Sequence, residues 1–267
     1  FNIMVAMNHY ETYVRKAVET GADFIVSGAG LPLELPAMVS DTDIAIAPIV
    51  SSARATALIL KYWEKKYHRY PDFIVIEGPE AGGHLGFSRK QLEEKMDYDM
   101  EISEILKLVR VYEKKAERKI PVAVGGGICD KARAEHEFML GADLIQVASR
   151  FITTKECDAD SAYKDAYLKA QKEDIVLVSS PVGMPGRAIR NPFLEHVEKG
   201  EVQRPQKCFG CLKHCNPAEI PYCITEALIH AVKGDTENGL LFCGAQGFLA
   251  NQIETVQDVM EDLLGGL

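Results

Sequence analysis

PVAVGGGICDKARAEHEFMLGADLIQVASRF, residues 121–151, is the stretch on which the fold turns. An apolar run, PVAVGG at 121–126, breaks into glycines, and a stretch of helical periodicity follows from Ala132 to Leu140. Gly141 stands where a helix C-cap is expected, and a second apolar run, LIQVASRF, begins at Leu144. Both runs are almost continuously apolar, as strands buried on both faces of a parallel sheet are. The stretch therefore predicts one strand–helix–strand unit.

The same grammar extends toward the N-terminus. Apolar runs recur as NIMVA (2–6), FIVSG (24–28), IAIAPIV (44–50) and FIVIEG (73–78). Helices are predicted over Tyr10–Thr20, Ser52–Tyr67 and Ile102–Arg118. The step GAD followed by apolar residues occurs twice, in GADFIV (21–26) and GADLIQV (141–147), a weak internal repeat. Such alternation builds either an open doubly wound sheet or a closed (β/α)8 barrel. Small residues close many strands (SGAG, EGPEAGGHLG, VGGGI, ASRF), whereas an open sheet gathers ligand contacts at one switch point, so the barrel is expected. Six of its eight strands are present, and Phe1 already lies in an apolar run, which predicts one or two βα units ahead of this sequence.

After Cys157 the pattern changes. A helix is predicted from Ala159 to Glu173, then a strand-like IVLVSS, the Pro/Gly-rich loop PVGMPGRAIRNP, and helices near Ala218–Lys233 and Thr255–Leu264. The expected division is a barrel domain over 1–180 and a helical C-terminal appendage over 181–267. Arg187 and Arg190 lie in a loop long enough to fold over the barrel mouth, as solvated arginines or as a lid on an anionic substrate or dinucleotide.

The net charge of −9 argues against nucleic acid or an anionic membrane as the main partner, because both are met by basic faces. No apolar run approaches the ~20 residues that span a bilayer, and the N-terminus lacks a signal-peptide pattern, so a cytoplasmic protein is expected. Its seven cysteines are then expected to be reduced. Four of them, Cys208, Cys211, Cys215 and Cys223, form C-x2-C-x3-C-x7-C, with Lys207 and Lys213 nearby. They supply either a tetrahedral zinc or iron-sulfur site or a set of small buried apolar residues.

Two glycine loops carry the main functional expectation. Gly125, Gly126 and Gly127 end one strand, and Ala148 and Ser149 end the next. Amides freed of side chains make an anion nest and the serine adds a donor, while barrels place phosphate sites after strands 7 and 8. If these are strands 7 and 8, EGPEAGGHLG follows strand 6, and a flat, phosphate-bearing cofactor is expected against its backbone. His84, between glycine and leucine at that strand end, is the expected catalytic base. His9, His68, His136, His196 and His230 lie in helical or surface contexts and are assigned no chemistry.

EGPEAGGHLG, PVAVGGGI, GADLIQVASRF followed by TTKE, and GRAIRN together resemble the nitronate monooxygenase (2-nitropropane dioxygenase) family, whose close relative is the flavin-dependent enoyl-acyl-carrier-protein reductase II. The resemblance runs from Asn2 onward and implies an FMN-binding TIM barrel. It implies flavin contacts at Asn2, Glu77, Gly82 and Gly83, phosphate contacts at Gly126, Gly127 and Gln146, Val147, Ala148 and Ser149, and His84 as the active-site histidine. Ala148-Ser149 stands where relatives commonly have Gly-Thr, and Glu77 stands where nitronate monooxygenases often carry Gln and enoyl reductases Glu. The expected reaction is oxidation of an alkyl nitronate by dioxygen. The alternatives are NAD(P)H-dependent reduction of an enoyl thioester and, from another class, a flavin-less metal-binding scaffold. A homodimer is compatible with either enzyme.

Overall fold

The computed structural model describes residues 1–94, 96–205 and 207–266. Among the described residues nine strands are present: β1 (Asn2–Met4), β2 (Phe24–Gly28), β3 (Ala45–Val50), β4 (Ile74–Glu77), β5 (Gly83–His84), β6 (Val122–Gly125), β7 (Leu144–Gln146), β8 (Ile175–Ser179) and β9 (Pro185–Ile189). The chain forms two compact units that interleave along the sequence.

The first unit comprises Phe1–Pro79, Glu94–Gly125 and His136–Gln146. Its six strands pair in parallel in the order β1-β2-β3-β4-β6-β7, without the reversal of a doubly wound sheet. That sequential order is the one expected of an arc of a (β/α)8 barrel. Every strand expected in this region is found, with trimmed ends: NIMVA pairs only over 2–4 and LIQVASRF only over 144–146. One face of the sheet carries a layer of Val26, Ala47, Val75 and Ala123, one residue from each of four neighbouring strands. The other face buries Ile25, Ile46, Ile74, Ile76 and Val122.

Helices cover this unit through stripes at helical spacing. Tyr98–Ala116 buries Tyr98, Ile102, Ile105, Leu106, Val109 and Tyr112. It starts four residues before the expected Ile102, because Asp99 and Glu101 suit a first turn and Tyr98 is itself buried. Ala53–Tyr67 buries Thr56, Ile59, Leu60 and Trp63 and is capped by Ser52, whose hydroxyl accepts the Ala55 amide at 3.2 Å. The Trp63 indole donates to the Pro32 carbonyl at 3.2 Å.

The aspartate that opens a strand has a clear structural task. Asp143, in GADLIQV, donates its amide to Val122 O at 2.8 Å and accepts the Val122 amide at 3.0 Å through Oδ2. Asp72, in PDFIV, does the same with Ile46, at 3.0 and 2.9 Å. Each aspartate thus fixes the entry of its own strand against a neighbour. Gly21 and Gly141, at φ of 75° and 108°, end their helices as expected.

The second unit comprises Glu80–Glu93, Gly126–Glu135 and Val147–Leu267. Beside its helices it contains an antiparallel sheet in the order β5-β9-β8, in which β8 is the expected strand-like IVLVSS. The stretch read as a lid loop holds β9, the central strand, and the helix Pro192–Glu198. Pro185 is tolerated because it is the first residue of the strand. Gly186 is required because a Cβ there would stand 2.9 Å from the Phe242 ring. The helix expected over 218–233 runs only from Ile224 to Val232, since Asn216 folds the preceding residues into a turn: its carbonyl accepts the Glu219 and Ile220 amides. Apolar cores form around Phe193, Leu194, Tyr222, Ile224 and Leu240, and around Tyr167, Ile189, Leu241 and Cys243. Among the described residues no helix is long and apolar enough to cross a membrane.

Candidate functional site

In the first unit, Glu77, Gly125 and Gln146 stand side by side at the C-terminal ends of β4, β6 and β7. Gly125 is needed in this line, because a Cβ would meet Gln146 Cβ and O at 3.1 Å. The next glycine after Glu77, Gly78, lies against the Tyr98 ring and donates to Gly125 O at 2.8 Å. The Tyr98 hydroxyl reaches Ser51 O at 3.0 Å and Glu77 O at 3.1 Å. Burial pushes the Glu77 carboxyl up to about 7. Asn2 opens β1, opposite Val26, and is exposed. From the ends of β4, β6 and β7 the chain passes into the second unit at Glu80, Gly126 and Val147.

In the second unit, the two-residue strand β5 sets His84. Gly83 pairs with Arg187 and His84 with Gly186, and the Leu85 amide donates to Pro185 O at 2.9 Å. Nε2 of His84 lies 2.7 Å from Oγ of Ser180, and the imidazole meets the Phe242 ring edge-on at 5.0 Å between centroids. Ser180 is itself buried and accepts the Val182 amide at 3.3 Å. Burial holds the His84 pKa below the ordinary histidine value of 6.5, so the ring is neutral at physiological pH. Sequence reasoning missed Ser180, whose only signal is a serine at the end of the expected strand IVLVSS.

The glycines beside His84 have two different explanations. Gly83 has φ of 71°, a conformation that side chains disfavour. Gly82 is fixed by contact: a Cβ there would stand 2.4 Å from the Cys243 carbonyl carbon and 2.6 Å from the Gly244 nitrogen. The backbone that approaches Gly82 is thus the chain's own. Arg187 belongs to this corner, within β9, and is not a freely solvated arginine, since its Nη1 donates to Ala81 O at 2.5 Å. Arg190 donates its amide to Asp174 O at 2.7 Å, and its guanidinium stands 3.6 Å from Glu198.

Gly126 and Gly127 both have positive φ, of 108° and 75°, a backbone that side chains disfavour and that leaves their amides uncovered by a Cβ. Oγ of Ser149 accepts the Gly244 amide at 2.9 Å, which leaves its proton free to be donated. Val147 and Ser149 are half-buried and Ala148 is exposed. Glu80 complicates this cradle. Its carbonyl accepts the Ala245 amide at 2.9 Å, and its carboxylate lies 2.0 Å from where a Cβ of Gly127 would be. A phosphate and that carboxylate repel, so the donors fit a phosphate only with the Glu80 side chain turned away.

Of the cysteines, Cys208 is exposed, Cys211 and Cys215 are half-buried and Cys223 is buried. The Cys215 thiol is pushed up first by burial and then by Cys211, Cys208 and Cys223, which all lie within electrostatic reach. Among the described residues no three His, Cys, Asp or Glu side chains are disposed to hold a metal ion.

Comparison with known proteins places this geometry in a family. A curated protein of Staphylococcus aureus (strain Newman), described as a probable nitronate monooxygenase, is 31% identical over 134 residues, which cover 50% of this chain and 36% of that protein. A Staphylococcus saprophyticus protein of the same description is 28% identical over the same length. The chain thus spans about a third (36%) of the length of these curated relatives. Among solved structures, FabK from Thermotoga maritima superimposes with a TM-score of 0.75 at 25% identity, over 98% of this chain and 73% of that one. Nitroalkane oxidase from Streptomyces ansochromogenes shares the fold, with a TM-score of 0.70 at 19% identity over 95% and 67% of the two chains. The model of the family described as nitronate monooxygenase matches residues 1–266, and the chain belongs to that family.

Proposed function

We propose that the protein is an FMN-dependent oxidoreductase that oxidises alkyl nitronates with dioxygen. The observation that carries this reading is the His84–Ser180 pair, a half-buried neutral imidazole held by a buried hydroxyl beside a glycine-lined backbone. Bound FMN would take electrons from the substrate and pass them to dioxygen. The chain's own contribution is placement and proton handling. With Nε2–H donated to Ser180, Nδ1 is the atom that removes the α-proton of a nitroalkane or orients a nitronate that has already lost it. Ser180 then supports the charge that the ring acquires.

Gly126, Gly127 and Ser149 are the phosphate donors in this reading, with Val147 and Ala148 beside them and Gly82 and Gly83 along the flavin. The roles of Asn2, Glu77 and Gln146 rest on the family resemblance. Dioxygen and a small anionic nitronate are the expected partners, in the cytoplasm. The deciding measurement is oxygen uptake by the flavin-loaded protein given propyl-2-nitronate without pyridine nucleotide. No uptake above the free-FMN rate overturns the reading.

A glutamate at position 77 favours a second reading, since the resemblance associates Glu there with enoyl reductases. NAD(P)H consumption with a crotonyl thioester, together with no uptake on the nitronate, would select it.

A further inference from the structure

Sixteen residues from Cys208 to Cys223 carry four cysteines that the flavin reading leaves unused. We propose that they bind a single thiophilic divalent cation of the zinc class, in a four-thiolate site that assembles on the metal. The proposal is independent of the oxidoreductase reading.

The loop that carries the thiols is closed at its base. Gln203 bridges Tyr222, and its amide donates to Pro221 O at 2.7 Å, which ties the segment ahead of the cysteines to the residue before Cys223. Cys211 and Cys215 both pack against one apolar cluster, that of Leu212, Tyr222 and Ile224. Cys223 immediately precedes the helix Ile224–Val232, which fixes its backbone at the end of the loop.

Cys208 is already set as a ligand would be. In Cys208-Phe209-Gly210-Cys211 the Gly210 amide donates to Cys208 Sγ at 3.4 Å, and Gly210 reaches this position with φ of 59°. An amide aimed at sulfur stabilises the charged form, and C-x2-C is the spacing with which one turn offers two thiolates to one ion.

Without a cation the four do not share a centre. Without a cation the sulfurs stay protonated, because four thiolates in one place would repel one another, whereas Zn²⁺ exchanges four S–H protons for four Zn–S bonds and offsets that repulsion. Each thiol releases its proton to solvent, and no oxidant or reductant is involved. The closed base holds the loop short, which lowers the entropy of gathering the ligands.

This loop is also connected to the histidine. Tyr222, adjacent to Cys223, donates its hydroxyl to Ser179 O at 3.3 Å, and Ser180 is the next residue.

The test is metal analysis of the full chain purified without chelator, followed by Co²⁺ titration of the chelated protein. The expected result is about one equivalent of zinc, and tetrahedral thiolate bands of Co²⁺ that saturate at about one equivalent. Serine variants of Cys208 and Cys211 should lose both. Because such variants can fail to fold, cysteine alkylation is mapped on the unmodified protein: metal should protect these four thiols and leave Cys129 and Cys157 unchanged. Less than about a tenth of an equivalent of zinc with no Co²⁺ bands, or identical alkylation with and without metal, overturns the site. An iron-sulfur chromophore in anaerobically purified protein overturns the mononuclear ion.

Discussion

Nε2 of His84 and Oγ of Ser180 meet at 2.7 Å across 96 residues of sequence, joining the short strand β5 to the turn that follows β8. Ser180 also accepts the Val182 amide, so the turn itself fixes the hydroxyl that faces the imidazole. Replacing His84 by Ala should leave flavin bound and cut turnover of a neutral nitroalkane by ~100-fold or more, the range for loss of a general base. Turnover of the pre-formed nitronate should fall much less. Equal losses on both substrates would remove proton abstraction from the role of His84.

The pH profile follows from the burial of that ring. A depressed pKa keeps His84 unprotonated to lower pH, so the acidic limb of kcat/KM on nitroalkane should lie below the ordinary histidine value of 6.5. Ser180→Ala removes the oxygen that supports the imidazolium, and should move the limb further down while lowering kcat. A limb at or above 6.5 in the parent, or an unmoved limb in the variant, contradicts the assignment.

Glu80 gives the phosphate cradle a sign that can be tested. Its carboxylate lies against Gly127, so Glu80→Gln removes a repulsion and should tighten FMN binding by about 3–10-fold. Ser149→Ala removes a donor and should weaken it by a similar factor. Flavin fluorescence titration reads both changes. Tighter binding in the serine variant, or weaker binding in the glutamine variant, would move the phosphate elsewhere.

Stability should carry the signature of Glu77. Its folded pKa of about 7 is above the unfolded value of 4.5, so the folded state holds the proton longer. Stability is then fully present below 4.5 and is lost as pH rises through about 7. Glu77→Gln should stabilise the flavin-free protein by about 1–3 kcal/mol at pH ~8 and leave it nearly unchanged at pH ~4. Urea denaturation at the two pH values measures the difference, and equal effects would mean that Glu77 is solvated.

The parallel strands were legible because each is a local apolar run, most of them closed by glycine or serine, as in FIVIEG and PVAVGG. Asp143 was visible in the GAD repeat and Asp72 was not, and their bonds to Val122 and Ile46 belong to sheet register and leave no local mark. His84 stood out by its glycine neighbours. Ser180 did not, because a serine after an apolar run is commonplace and its partner lies on a distant strand. The strand Pro185–Ile189 was read as loop for a physical reason: proline and glycine are poor strand residues, and only pairing with β5 and β8 on both sides overrides that preference.

The fit of Gly82 against the Cys243–Gly244 backbone means that EAGGH is not a portable cassette. Transplanted into another barrel without the segment around Cys243, the motif would lack the wall that its missing side chain was shaped to admit, and water would fill the gap beside the histidine. Any swap between relatives would have to move both pieces as one cut. Conversely, Gly82→Ala should fail even in a protein that never meets flavin, which separates a glycine kept for the chain's own closure from one kept for a ligand.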